Sequence, residues 1–261
     1  MLEKLQGFRI TLNSLIFEKL PYRLNKIILS NISLYNKYHP IKHYRMWREE
    51  STNRPYSEFY SECMRKCAVT NPKKAVGGNW DEIGKFQLKF LVHFNLKSHH
   101  KLLDFGCGCL RGGIHFIKYL KEGNYYGIDI SKHILQVGKK FLFEAGLDYK
   151  KPILKINTDL KFDNFYNEIF DFIHAYSVFT HMPLYDIEKC LIHIQKVMDT
   201  KTVFFATFFD GLNRCFTPDN MNFYYTFNTL KELGEKNNLK VNLLEKFKYP
   251  KKQKWMKITL K

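Results

Sequence analysis

Residues 102–113 read LLDFGCGCLRGG, and this stretch decides how the surrounding chain folds. Its first residues are mostly apolar, and the run is short enough for a strand buried in a sheet. Gly106, Cys107 and Gly108 follow directly. Glycine at such a position lets the backbone turn tightly and lets a ligand approach it closely. Apolar residues at helical spacing begin again at Ile114, so the stretch predicts a strand, a ligand-binding turn and a helix in succession.

The turn favours one kind of ligand over another. A helix that begins after a glycine turn presents free N–H groups and a positive dipole end, which suit a carboxylate. Arg111 is close enough in sequence to add positive charge. Arg111 also occupies the third glycine position of the G-x-G-x-x-G pattern, which dinucleotide-binding turns use for close approach of the pyrophosphate. The sequence therefore argues against a dinucleotide.

A second acidic residue, Asp129, lies 25 residues after Asp104, at the end of the next predicted strand, residues 125–130. A carboxylate at that position can accept hydrogen bonds from both ribose hydroxyls of an adenosyl ligand. The alternative is that Asp129 caps the helix predicted over residues 131–143. The glycine turn and this acid together are far more specific than either feature alone.

Short apolar runs alternate with helical patterns through the rest of the chain, which predicts an α/β fold with a mostly parallel, Rossmann-like sheet. Two further runs near the end have no helical pattern between them and predict a closing antiparallel hairpin. The strands of the parallel part are predicted at residues 102–105, 125–130, 153–156, 170–176 and 203–209, and those of the hairpin at 241–244 and 255–260.

The N-terminal part differs in charge and pattern. Residues 1–75 carry 14 basic and 6 acidic side chains and are interpreted as a basic helical extension of a domain over residues 76–261. Within the extension, residues 1–50 show a broken amphipathic pattern that suits a membrane surface, or packing on the domain itself or on a dimer partner. Residues 51–80, rich in proline and glycine, are interpreted as connection and loop, followed by a helix capped by Asn79 or Asp81.

Four segments in order, LLDFGCG, YYGIDIS, NTDLKF and FDFIHAYSVFTHMP, resemble the motif series of class I S-adenosylmethionine-dependent methyltransferases. The resemblance covers about residues 75–261 and implies S-adenosylmethionine as the cofactor. It also implies that VGGNWDEIG, residues 76–84, caps the cofactor. One departure is MDTK at residues 198–201, where the family often has a proline-glycine-glycine turn. That turn is structural, so the departure hardly affects the functional interpretation.

The resemblance also implies roles for single residues. The turn would surround the methionine part of the cofactor, Asp129 would hold the ribose and Asp159 would meet the adenine amino group. Ala175 and Tyr176 would border the methyl group and the acceptor pocket. The full set of implied cofactor contacts is Asp104, Gly106, Cys107, Gly108, Asp129, Ile130, Asp159, Ala175 and Tyr176.

Two histidines near the predicted fourth strand are candidate bases. His174 lies within the strand and is interpreted as a buried structural histidine. His181 follows the strand end in the SVFTHMP loop, where the active site is expected to open. Histidine titrates near neutral pH, which suits a general base. His181 is therefore the predicted catalytic residue, with packing and hydrogen bonding as its alternative role.

The methyl acceptor is the least specified part of the prediction. A small molecule or glycan is the first choice, and the alternatives are RNA bound by the basic surface, or a non-catalytic S-adenosylmethionine-binding protein. The net charge of +17 suits a polyanionic partner or merely a solubilising surface. Aromatic residues in 210–227 either stack on sugars or bases, or fill the core.

Cellular context is inferred from what the sequence contains. Six cysteines without a secretory signal predict free thiols in a reducing compartment. Cys63 and Cys67 have C-x3-C spacing with no second well-spaced pair, so no metal site is expected. The predicted location is cytoplasmic, with contact to the inner face of the membrane through residues 1–50 as an option. The oligomeric state is not indicated.

Overall fold

The computed structural model describes most of the domain that the motifs predict. The described residues are 55–165, 167–211, 216–217, 222–245 and 253–261. The predicted amphipathic segment at residues 1–50 lies outside them. No helix in these ranges is long and apolar enough to cross a bilayer.

Strands and helices alternate from the first glycine turn onward. The strands are β1 (Leu102–Phe105), β2 (Tyr125–Asp129), β3 (Ile153–Ile156), β4 (Phe172–Ala175), β5 (Val203–Asp210), β6 (Phe216–Thr217), β7 (Asn222–Tyr225), β8 (Leu239–Leu244) and β9 (Gln253–Leu260). The helices are α1 (Tyr56–Thr70), α2 (Pro72–Ala75), α3 (Trp80–His93), α4 (Gly113–Tyr119), α5 (Lys132–Glu144), α6 (Leu184–His193) and α7 (Phe227–Lys236).

The main sheet has the order β3-β2-β1-β4-β5, and these strands are parallel to one another. On the far side of β5, β9 pairs antiparallel with β5 and then with β8. β7 runs parallel to the last two residues of β5. The predicted Rossmann-like, mostly parallel sheet with a C-terminal antiparallel hairpin is thereby confirmed.

Apolar side chains cover both faces of this sheet, as expected for parallel strands. Leu102 and Phe172 belong to one buried cluster, whereas their neighbours Leu103 and Ile173 belong to the other. Successive strand residues point to opposite faces, so each strand contributes to both clusters. The ring of Trp255 on β9 is fully buried and stacks on Phe90 of α3, with 3.7 Å between ring centroids.

The prediction of a loop over residues 51–80 is wrong, because Tyr56–Thr70 forms a helix of 15 residues. The prolines do not interrupt it. Pro55 immediately precedes α1, and Pro72 opens α2. The first turn of a helix has N–H groups without an intrahelical partner, so proline is tolerated there. Tyr56 and Phe59 on α1 are buried in the core.

Two smaller expectations also need correction. Asn79 does occupy the residue before α3, but its side chain makes no capping hydrogen bond, and Asp81 lies inside the first turn. The helix α7 and the short strands β6 and β7 were not predicted. The sequence does hold a capping signal for α7. The Thr226 hydroxyl accepts a hydrogen bond from the Thr229 N–H at 3.1 Å and so caps the start of the helix.

Candidate functional site

The glycine turn after β1 is tied directly to the neighbouring strand. The N–H groups of Gly106 and Cys107 donate to the Ile128 carbonyl at 2.8 and 3.0 Å. Gly106 has φ +72° and Gly108 φ +57°, a backbone region that favours glycine. A Cβ on Gly106 would lie 2.5 Å from a methyl carbon of Val178. Both backbone conformation and space therefore require glycine, as the sequence predicts.

Asp104, the last but one residue of β1, is a buried carboxylate with two partners. The Tyr125 hydroxyl donates to one of its oxygens at 2.7 Å, and His174 Nδ1 lies 3.1 Å from the other. His174 itself is fully buried, in keeping with its interpretation as a structural histidine. Asp104 thus links β1, β2 and β4 just before the turn. It also lines a cavity at this edge of the sheet.

Asp129 ends β2 and faces the glycine turn. Its two carboxylate oxygens accept hydrogen bonds from the N–H groups of Gly108, at 3.0 Å, and Ser131, at 2.9 Å. Helix α5 is capped by Ser131 and not by Asp129, because the Ser131 hydroxyl accepts a hydrogen bond from the Ile134 N–H. A carboxylate has about four acceptor positions, so Asp129 retains capacity for a ligand. Burial raises its pKa to about 6, and the charge of Asp104 adds to that increase.

Polar residues follow β3 at the same edge of the sheet. Asp159 is exposed at the rim, where its carboxylate accepts from the Lys161 N–H at 3.0 Å. Asn157 is buried, and its Oδ1 accepts from the Leu160 N–H at 2.9 Å. The Asn157 Nδ2 group has no hydrogen-bond partner among the described residues. Asn157 therefore contributes an unpartnered donor that is buried in the wall of the cavity that it lines.

Arg111 fixes the segment that precedes α3. Its guanidinium donates to the Val76 carbonyl and to the Gly78 carbonyl, the latter at 3.1 Å. The same guanidinium lies 5.6 Å from the centre of the Tyr176 ring. Arg111 therefore tethers residues 76–78 beside the glycine turn, and it also lines the cavity at this edge of the sheet.

The residues that follow β4 form the opposite side of the cavity. Ala175 is fully buried inside the sheet and does not line the cavity, whereas Tyr176 does. His181 lies in a short 3-10 turn and lines the cavity as well. Its ring stacks on that of Tyr60, with 5.5 Å between centroids. Helix α1 thus contributes an aromatic ring to the predicted catalytic residue.

These side chains surround one cavity of about 1450 Å³ at the carboxyl edge of the sheet. It brings together most of the predicted contacts: Asp104, Gly106, Cys107, Gly108, Asp129, Ile130, Asp159, Tyr176 and His181. Of the aromatic run at residues 210–227, Phe223 and Tyr225 belong to the core. The cavity also includes Tyr60, Asn157, Asn222 and Gln253, which sequence reasoning missed. Only Asn157 had a local signal, since it directly follows a strand.

A parallel sheet with a glycine turn after β1, an acid at the end of β2 and an antiparallel β9 beside β5 has the architecture of the S-adenosylmethionine-dependent methyltransferases. The chain belongs to the methyltransferase domain family, whose family model matches residues 96–259.

Solved structures agree on the fold. Magnesium protoporphyrin IX methyltransferase from Synechocystis PCC 6803, crystallised with bound S-adenosylmethionine, is 11% identical, with a TM-score of 0.63 over 80% of this chain and 99% of that one. An S-adenosylmethionine-dependent methyltransferase from Leishmania major is 17% identical, with a TM-score of 0.62 over 83% and 90%. A TehB-like S-adenosylmethionine-dependent methyltransferase from Corynebacterium glutamicum is 20% identical, with a TM-score of 0.52 over 78% and 98%.

One curated relative has a name that states no activity. An uncharacterized protein of Rickettsia prowazekii (strain Madrid E) is 27% identical over 108 residues, which are 41% of this chain. The match spans 42% of that relative.

Proposed function

We propose that this methyltransferase transfers the methyl group of S-adenosylmethionine to a small-molecule or glycan acceptor. The observation that carries the proposal is the single cavity that joins the Asp129 side of the sheet edge to His181. Its described wall is largely aromatic, aliphatic and neutral polar, and its size is that of a site for a small molecule beside a cofactor. These features favour a small acceptor. The RNA alternative is supported only by the net charge of the chain.

Three features of the cavity fit S-adenosylmethionine. Gly106 and Gly108 leave room for a ligand against the backbone, Asp129 retains free acceptor positions for ribose hydroxyls, and Asn157 offers a buried donor near the adenine position. Asp159, at the rim of the cavity, is the second residue that we propose to contact the adenine. When bound, the cofactor supplies a methyl group on a sulfonium, which is already activated toward nucleophiles.

The remaining task of the protein is alignment and proton transfer. Holding the acceptor in line with the methyl group contributes on the order of 7–11 kcal/mol of barrier reduction in well-oriented reactions. His181 accepts the proton that the acceptor oxygen or nitrogen loses as it takes the methyl group. Stacking on Tyr60 holds the imidazole in one orientation. The products are the methylated acceptor and S-adenosylhomocysteine.

A screen with S-adenosylmethionine labelled in its methyl group tests this function. Glycans, small metabolites and RNA are offered separately to the full chain, and transferred label is measured. Label in a small molecule or glycan supports the proposal. Transfer to RNA that falls steeply with salt would favour the RNA alternative. Cofactor binding without transfer to any class would favour the non-catalytic alternative.

Replacing His181 with alanine is expected to lower kcat about 10²–10⁴-fold, the usual contribution of a general base. The dissociation constant of S-adenosylmethionine should change little, because His181 lies on the acceptor side. The measurement is steady-state kinetics with the acceptor found by the screen, alongside calorimetry. His193→Ala, which changes a histidine outside the cavity at the end of α6, is the control. An unchanged kcat for His181→Ala would assign His181 a packing role only.

Cofactor affinity is expected to fall as the pH is lowered through 6. The pKa of Asp129 is raised to about 6, so the carboxylate is ionised above that pH and protonated below it. A protonated Asp129 loses acceptor capacity, and affinity at pH 5 should be about tenfold lower than at pH 7. Calorimetry at both pH values measures this.

Asp186 provides the control for that experiment, because burial raises its pKa to about 6 as well and it lines the same cavity. Asp186→Asn should keep the pH dependence of cofactor binding, whereas Asp129→Asn should lose it. Loss of the dependence in Asp186→Asn alone would place its origin at Asp186.

A further inference from the structure

Two buried amides and a hydroxyl line the cavity, and none of them is among the predicted cofactor contacts. Gln253 opens β9, Asn222 opens β7 and Ser177 follows β4, so three separate elements meet there. Gln253 is 5% exposed and Asn222 8% exposed, and both line the cavity. Apolar side chains, Phe209 and Met182, lie in the same wall. A few placed polar groups in an apolar wall are typical of a site that orients a small molecule.

A chain of hydrogen bonds holds the Gln253 amide in place. Its Nε2 donates to the Ser177 hydroxyl at 2.6 Å. The Ser177 N–H in turn donates to the Thr207 hydroxyl on β5 at 2.7 Å. Ser177 has φ +57°, a left-handed conformation that costs a non-glycine residue about 1–3 kcal/mol and is concentrated at functional sites.

The other end of the same amide is unsatisfied. The Gln253 Oε1 atom is buried and has no hydrogen-bond partner among the described residues. A buried acceptor without a partner costs about 1–3 kcal/mol, so such atoms are rare and call for an explanation. Because Gln253 lines the cavity, a ligand there can supply the missing donor once the amide turns to expose this oxygen.

We propose that Gln253 Oε1 accepts a hydrogen bond from a hydroxyl or amino group of the methyl acceptor, and that it selects neutral hydrogen-bond donors against anions. This inference rests on the proposed function and specifies the acceptor chemistry of the same cavity. With the Gln253 Nε2 group bonded to Ser177, the free amide oxygen attracts an O–H or N–H group and repels a carboxylate or phosphate.

The test uses the full chain saturated with S-adenosylhomocysteine, with ligand binding followed by saturation-transfer NMR. Phenol and methyl glucoside are the neutral probes, and phenyl phosphate and glucose phosphate are their anionic counterparts. The neutral probes should bind more tightly than the anionic ones. In Gln253→Met, which keeps the length of the side chain and removes the amide, affinity for the neutral probes should fall about 5- to 10-fold, the effect of one hydrogen bond.

Gln195→Met is the matched control. Gln195 Nε2 donates to the carbonyls of Leu191 and Asn237, both at 2.9 Å, and Gln195 does not line the cavity. Its replacement should alter stability without altering probe binding. Gln253→Glu is the second variant, since it keeps an acceptor oxygen in the same place. It should retain binding of the neutral probes and bind the anionic ones still more weakly.

Three results would overturn the proposal: neutral probes that bind Gln253→Met as well as the wild type, anionic probes that bind the wild type better than neutral ones, or no binding of any neutral probe. Calorimetry with S-adenosylmethionine on the same samples separates this failure from that of the proposed function. Intact cofactor binding with a negative probe result would exclude the role of Gln253 and leave the proposed function standing. Absent cofactor binding in the wild type removes the proposed function.

Discussion

Replacing Asp129 with alanine is expected to weaken S-adenosylmethionine binding by about 2–4 kcal/mol, or roughly 30- to 1000-fold in the dissociation constant. Hydrogen bonds to a charged acceptor contribute about 1.5–3 kcal/mol each, and the ribose would lose its carboxylate partner. The substitution also removes the acceptor for the N–H groups of Gly108 and Ser131. The glycine turn would therefore lose part of the support that holds it in place.

Calorimetry with two further variants makes this result specific. Asp129→Asn retains one acceptor oxygen and should give an intermediate loss of affinity. Asp148→Ala, on the exposed turn before β3, removes a carboxylate that does not line the cavity and should bind like the wild type. An Asp129→Ala affinity within twofold of the wild type would exclude Asp129 from the cofactor site.

The second large effect is expected at Asp104 and concerns stability. Asp104→Ala leaves the Tyr125 hydroxyl and His174 Nδ1 without the partners they have at 2.7 and 3.1 Å. Buried polar groups that lose their partner cost about 1–3 kcal/mol each. We expect a loss of about 2–4 kcal/mol in the free energy of unfolding, which lowers Tm by about 5–15 °C in a protein of this size.

Thermal unfolding of matched variants checks the cause. Tyr125→Phe removes one hydroxyl from the same group and should lower Tm by a smaller amount than Asp104→Ala. Asp104→Asn keeps an acceptor oxygen and should fall between Asp104→Ala and the wild type. If Asp104→Ala unfolded within about 1 °C of the wild type, the buried group around Asp104 would have no structural importance.

The alternation of apolar runs predicted the parallel sheet because each strand is buried on both faces and reads as a short apolar stretch. The bounds of β1 and β3 were predicted without error, at residues 102–105 and 153–156. Helix α1 was missed because its flanking prolines are loop signals in general, yet here they stand at helix starts. The division of the chain at residues 75 and 76 stays a prediction.

The cofactor side of the cavity was predictable because its residues lie in short motifs directly after strands. Asp129 and the glycine turn are close in sequence to the strands that position them, so local pattern and tertiary placement agree. The acceptor side has no such local pattern. Tyr60, Asn222 and Gln253 come from α1, β7 and β9 and meet only through the fold. The roles of all the predicted site residues, from the cofactor contacts at the glycine turn, Asp129 and Asp159 to the base His181, stay predictions.

Titration of the 261-residue chain with S-adenosylmethionine in a calorimeter at neutral pH tests the central claim most directly. The structure predicts saturable binding of one cofactor per chain, with a dissociation constant well below the millimolar range and displacement by S-adenosylhomocysteine. The same titration on Gly106→Val, which would force a side chain toward Val178, should show greatly weakened binding. Absence of wild-type binding at millimolar S-adenosylmethionine would contradict the assignment of this cavity as a methyltransferase cofactor site.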